Sequence, residues 1–256
     1  MAGFHHNKKP AVKKSSLIIG RKPVLEALQE GKQMERIYML TTAVGESIQE
    51  IKELAFRNNV PINKVPAPKL NALSNANHQG CIAIAASVQY YQLQEVISFI
   101  TDKGEMPLFV MLDGVTDIRN IGAIARTALC CGAQALIIPD KGVGALNEDA
   151  VKTSAGALER IFVCRVRSLM QAVDELHLNG IKVFASEMTA NTSVQQLQFT
   201  EPSCIVMGGE ENGVYPALMK ICDEKFKIPM PGKFESLNVS VAAGMILYEA
   251  MQQRMR

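Results

Sequence analysis

The sequence predicts an α/β protein, with a larger domain built on a parallel sheet and a smaller α/β domain ahead of it. Three observations carry that expectation. From residue 106 to residue 256, short continuous apolar runs alternate with segments of helical period, as strands buried on both faces of a parallel sheet require. Residues 17–91 show a second, shorter alternation, and the pattern weakens between 92 and 105, which reads as a linker. Finally, the residues with chemical potential stand directly after predicted strands, where such sheets bind ligands.

In the smaller domain a helix begins near Gly20, with Pro23 in its first turn, apolar Val24, Leu25 and Leu28, and a closing Gly31. Glu35–Thr41 reads as a strand. Glu46–Asn58 places Ile48, Ile51, Leu54 and Ala55 at helical spacing. Val60–Val65 is a short strand, Pro66 and Pro68 lead into a helical turn, and Cys81–Tyr90 is a strand introduced by His78-Gln79-Gly80. Leu93, Val96, Ile97 and Ile100 mark one amphipathic helix inside the linker.

The larger domain reads as strands at 108–112, 135–138, 161–166, 181–185, 204–207 and 226–228. Helices are predicted at 121–131, 148–158, 169–178, 214–221 and from Val239 to Met251. The last of these is apolar almost all round, so more than one of its faces needs cover.

Composition excludes several classes. The chain has 256 residues, 48% hydrophobic and 20% charged, as a soluble globular protein does. Six cysteines without a C-x-x-C pair, and four histidines, argue against a metal site or a disulfide framework and for reduced thiols in the cytoplasm. The first apolar cluster, Leu17-Ile18-Ile19, is too short for a signal peptide or a membrane span. Four lysines and no acid occupy residues 1–16, a disordered basic arm; without them the net charge of +2 becomes −2. Bulk charge therefore does not announce nucleic-acid binding, and any such contact must be local.

Three loops after strands hold the candidate site. After Leu112, Asn120 is an N-cap candidate for a helix whose stripe is Ile121, Ile124, Ala125, Ala128 and Leu129, with Arg126 off that stripe. After Met207, Gly208 and Gly209 allow close backbone approach, and Glu210 is placed to orient a polar group. After Ile228, two prolines and Gly232 forbid regular structure, and Ser236 and Asn238 follow as capping residues of the final helix. Gly142-x-Gly144 also lies between a strand and a helix, but Asn147 replaces the third glycine of a dinucleotide fingerprint and the match is set aside.

Taken together, Asn120-x-Gly122-x-x-x-Arg126, Gly208-x-Glu210-x-x-Gly213 and Ile228-Pro-Met-x-Gly232-x-x-x-Ser236-Leu-Asn-Val-Ser240 resemble the three motifs of the SpoU (TrmH) family of RNA ribose 2′-O-methyltransferases. The resemblance implies a SPOUT-like domain over residues 106–256 with a C-terminal trefoil knot. It implies an L30e-like RNA-binding domain over 17–91. S-adenosylmethionine is the implied cofactor, held through Gly208, Ile228 and Leu237, and no metal is expected. Arg126, Asn120, Glu210, Ser236 and Asn238 are the implied catalytic set. The implied assembly is a homodimer through the knot region, with no membrane contact. The expected substrate is 23S ribosomal RNA; a tRNA substrate and a non-catalytic RNA-binding or ribosome-assembly protein are the alternatives.

Overall fold

A computed structural model describes residues 16–232 and 236–255, which form two compact units divided between Ala86 and Ser87. Residues 1–15 of the basic arm lie outside the described residues.

The first unit contains a four-stranded sheet. Its strands are β1 (Leu17–Ile19), β2 (Met34–Leu40), β3 (Ile62–Val65) and β4 (Cys81–Ala85), in the order β1-β4-β2-β3. β2 and β3 pair in parallel, while β4 runs antiparallel to both β1 and β2. Helices α1 (Arg21–Gln29) and α2 (Glu46–Arg57) bury Val24, Leu28, Ile48, Ile51 and Ala55 against Ile37, Met39 and Ala83 of the sheet. On the opposite face Leu70 of α3 (Ala67–Leu73) packs with Val65 and Ile82. The alternating Cβ direction of a strand thus supplies two small cores from one sheet.

Two differences from the sequence reading arise at the junction. The strand expected over Cys81–Tyr90 stops at Ala85, and Tyr90–Tyr91 forms a separate strand, β5, paired in parallel with β8 (Phe162–Val166) of the second unit. The segment expected as a linker, 92–105, contains α4 (Leu93–Asp102). Its Leu93, Val96, Ile97 and Ile100 are buried in the second unit's core with Phe109 and Met111. An apolar stripe of that width has to be covered.

The second unit is an eight-stranded sheet in which every pairing is parallel. Besides β5 and β8 it comprises β6 (Leu108–Asp113), β7 (Ala135–Pro139), β9 (Lys182–Ser186), β10 (Thr192–Ser193), β11 (Ser203–Gly208) and β12 (Glu224–Lys227), in the order β10-β12-β9-β11-β6-β7-β8-β5. Phe109, Met111, Ala135, Ile137, Cys204 and Val206 share one core with α4, α7 (Leu169–Leu178) and α8 (Pro216–Ile221). Leu108, Val110, Leu112, Leu136, Ile205 and Met207 alternate with them and are equally buried, so they face the other side. There α5 (Ile118–Cys130), α6 (Glu148–Thr153) and α9 (Val239–Arg254) pack on one another. The helix expected over 148–158 ends early, because Ala155 and Gly156 take left-handed backbone before a 3-10 turn at Ala157–Glu159.

The C-terminal helix is fixed at its far end by Arg254. Its guanidinium donates to the carbonyls of Phe199, Met106, Pro107 and Glu201 at 2.7–2.9 Å. Burial pulls the arginine pKa down to about 10, so those carbonyls stand in for the water it has lost. Arg254→Ala should leave them without that donor and lower unfolding stability by roughly 2–3 kcal/mol, measured by denaturant titration.

Candidate active site

β6 is where the order of the sheet reverses. From it the chain steps outward to β7 and β8, and it returns on the other side through β9 and β11. β6 and β11 are neighbours in register, with Met207 opposite Leu112 and Gly208 opposite Asp113. The crevice at such a switch point, beyond the carboxyl ends of the strands, is where these folds bind ligands.

Asp113, the last residue of β6, ties the two loops together. Its carbonyl accepts from Gly209 N–H at 2.8 Å, and its Oδ2 accepts from Tyr215 N–H at 2.6 Å. Between those two anchors the chain folds back on itself, with Gly213 N–H donating to Gly209 O at 2.9 Å. A Cβ on Gly208 would sit 2.2 Å from the Gly213 carbonyl carbon and 2.3 Å from Val214 N. Only glycine allows that approach.

The β6 loop leads into α5, whose N-cap is Asp117 and not Asn120. Asp117 Oδ1 accepts from Arg119 N–H at 2.9 Å, and its carboxylate grips the Arg119 side chain at 2.8–3.2 Å. That arginine holds the Asp117 carboxyl below its ordinary range. With the cap supplied three residues earlier, Asn120 lies in the first turn and its side chain is released for another partner.

That partner is Glu210. Asn120 Nδ2 donates to Glu210 Oε1 at 3.1 Å, and Asn238 Nδ2 donates to the same oxygen at 2.7 Å. Asn238 Nδ2 also donates to Asn120 Oδ1 at 3.1 Å, closing a triangle of side chains from three separate segments. Asn238 caps α9 as well, its Oδ1 accepting from Ser240 N–H at 2.9 Å and from Ser240 Oγ at 2.6 Å. One asparagine thereby joins a helix terminus to the carboxylate.

Beside the triangle is a cavity of about 420 Å³, of the size that holds small-molecule ligands. Gly208, Glu210, Ile228, Ser236 and Leu237 all line it. Its walls also include the Ser186–Thr189 segment at the end of β9, Phe226 and Lys227 of β12, and the Val239, Ala242 and Ile246 side of α9. Most of the sequence-selected residues therefore converge. Arg126 does not join the cavity wall; it is exposed on α5, beside buried Ala125 and away from the stripe against the sheet.

Sequence reasoning missed Asp113 and the Ser186–Thr189 wall. Both stand at the carboxyl end of a strand, so the rule that found the other loops was the available signal. Gly144 has a structural use instead of a nucleotide-binding one. A Cβ there would lie 2.4 Å from Thr116 O and 2.7 Å from Ile118 Cγ2, so its loop packs tightly on the loop before α5. Asn147 caps α6, accepting from Asp149 and Ala150 N–H at 3.0 and 3.1 Å.

All six cysteines are free thiols, and burial pushes the Cys81 thiol up to about 12, which makes it inert. Among the described residues, no cluster of His, Cys, Asp and Glu is placed to hold a metal ion, and no helix is long and apolar enough to cross a membrane.

Two family models match the chain. That of the SpoU rRNA Methylase family matches residues 107–248, and one described as RNA 2′-O ribose methyltransferase substrate binding matches residues 17–91. YacO of Bacillus subtilis, named as a TrmH family tRNA/rRNA methyltransferase, is 33% identical over 237 residues, 93% of this chain and 95% of its own. The SpoU methyltransferase AviRb from Streptomyces viridochromogenes, solved in complex with the cofactor AdoMet, has a TM-score of 0.59 at 26% identity, covering 93% of this chain and 90% of its own. The A. aeolicus TrmH/SpoU tRNA modifying enzyme has a TM-score of 0.52 at 30% identity, covering 64% of this chain and 84% of its own.

Gly208→Val tests the loop geometry. The new side chain collides with the Gly213–Val214 backbone before it meets any ligand, so the loop must move and deform the cavity. Calorimetry with S-adenosylhomocysteine should show affinity lowered at least about tenfold, roughly 1.4 kcal/mol. An unchanged affinity would mean that this loop does not shape the binding site.

Proposed function

The chain belongs to the SpoU rRNA methylase family, RNA 2′-O-ribose methyltransferases that use S-adenosylmethionine, and from that premise we propose that its substrate in the cytoplasm is ribosomal RNA. The observation that carries the reading of the site is the Asn120–Glu210–Asn238 triangle beside the cavity. The substrate-binding match over residues 17–91 supports an RNA substrate held by a unit separate from the catalytic one. Relatives named for both tRNA and rRNA keep the tRNA ribose as the second reading.

The cavity residues fit the cofactor in volume and chemistry. Gly208, Ile228 and Leu237 would hold it through backbone groups and apolar contact, and when bound it supplies an electrophilic methyl group. The remaining chemistry belongs to the chain: the ribose hydroxyl must be positioned and must lose its proton. One oxygen of Glu210 already accepts two amide donors. The carboxylate is therefore assigned the orientation of Asn120 and Asn238, and Ser236 and the asparagines the placement of the ribose. Arg126 is assigned the target phosphate, which it can grip bidentately, and the negative charge that develops on the hydroxyl oxygen. It is too basic to take the proton itself, which passes to phosphate or water.

The same reading includes the C-terminal trefoil knot and a homodimer through that region. α9 buries Val239, Ala243, Ile246, Leu247 and Ala250, yet leaves Val241, Met245 and Tyr248 exposed at helical spacing. An apolar stripe of this kind suits an obligate interface. Light scattering at low micromolar concentration should give about twice the 28.0 kDa chain mass. A monomer would leave the stripe as surface.

Arg126→Ala is the test of mechanism. The side chain is exposed, so stability should change by no more than about 0.5 kcal/mol. Methyl transfer should fall on the order of a hundred- to a thousandfold, with cofactor affinity preserved. Arg126→Lys should also be badly impaired, since lysine lacks the planar fork. Normal transfer by Arg126→Ala would remove this residue from the mechanism.

A further inference from the structure

The catalytic unit has an uneven charge distribution that the proposed chemistry leaves unused. Residues 119–167 carry seven Lys and Arg against four Asp and Glu, whereas residues 168–256 carry seven against ten. The excess positive charge gathers where two strands end. Pro139 of β7 pairs with Val166 of β8, and Asp140 N–H donates to Val166 O at 2.8 Å, so Lys141 and Arg167 emerge side by side. Both are exposed. Behind them Arg165 is only 4% exposed, its guanidinium 3.8 Å from the centroid of the Tyr90 ring.

We infer that Lys141 and Arg167 form a phosphate-binding ledge on the catalytic unit, which holds the RNA backbone next to the nucleotide being modified. The inference rests on the RNA methyltransferase reading and adds to it a second contact surface, separate from the substrate-binding unit. Three features support it. The ledge stands on the carboxyl edge of the sheet, the edge that carries Asn120 and Glu210. Strands lie about 4.8 Å apart, so the end of β8 is roughly 10 Å from the end of β6, a distance that a short stretch of single strand can bridge. Second, the loop that Lys141 opens is packed at Gly144 against Thr116 and Ile118, at the start of the α5 turn that carries Asn120. Third, Asp140 beside these cations is half-buried, and burial pushes its pKa up against the pull of Lys141, Arg165 and Arg167, while Lys141 and Arg167 themselves are exposed. Phosphate is the matching ligand chemistry, and RNA is the source of it that the neighbouring site requires.

Anisotropy of a labelled, mixed-sequence single-stranded RNA oligonucleotide, measured with the full chain at a series of salt concentrations, tests the ledge. Each phosphate contact on a single strand contributes about 0.7 to the slope of log affinity against log salt. Lys141→Gln/Arg167→Gln should reduce that slope by about one to two and weaken binding roughly tenfold at low salt. S-adenosylhomocysteine affinity and Tm should not change. Lys141→Gln alone, on an exposed loop, should remove about 0.7 from the slope and guards against a folding defect at Arg167. Lys103→Gln, at the end of α4 that leads to the amino edge of the sheet, should change neither quantity. Wild-type slope and affinity in the double variant would overturn the ledge while leaving the reading of the active site intact. A wild-type chain that binds no RNA would overturn both.

Discussion

The pairing of β6 with β11 is the constraint on which the site depends. Gly208 lies opposite Asp113, and from that point Asp113 holds both ends of the next loop, Gly209 by its carbonyl and Tyr215 by its carboxylate. A side chain is periodic in two along a strand, so a slip of one residue would turn Asp113 toward the other face of the sheet. The cavity wall, the position of Glu210 and the triangle it anchors would go with it. The buried apolar residues of both strands fix that register, which makes the core of the unit the support of its chemistry.

A division of labour follows along the carboxyl edge. Backbone groups and glycines shape the cavity where a ligand must approach closely, and side-chain amides around one carboxylate form its rim. Those amides are neutral, so a buried charge is not needed to order them; one carboxylate oxygen and two donors suffice. Lys227 lines the cavity, and further cations are exposed at Arg126 on α5 and at Lys141 and Arg167 on the strand ends. A largely apolar, glycine-lined cavity with exposed cations on the same edge of the sheet suits a small cofactor inside and a polyanion near it.

Asn120 shows how a residue singled out for one local role can take up another. Its place after a strand suggests a helix cap, but Asp117 takes that task and accepts the Arg119 N–H. Capping preference is a local property and two residues competed for it; the winner was set by where the loop from β6 meets α5. The loser became free to bond Glu210, ninety residues away. Asn238 was read as a cap and is one, while its amide nitrogen does the second job. The segment 92–105 shows the opposite case. Its helical stripe was legible, but treating it as a linker overlooked that a stripe of four apolar residues needs a core to cover it.

The sequence by itself determined the alternation of strands and helices, the parallel sheet and the loops that meet at the cavity. These are properties of short-range pattern: period, capping chemistry, and glycine or proline at strand ends. Tertiary structure decided the rest. Strand order placed the β6 and β11 loops together and brought the Ser186–Thr189 segment into the cavity. It paired Tyr90–Tyr91 with β8, and it set Lys141 beside Arg167. None of those neighbours can be read from spacing, because a parallel sheet joins strands that are distant in the chain and the choice among partners depends on how all the buried faces are covered at once.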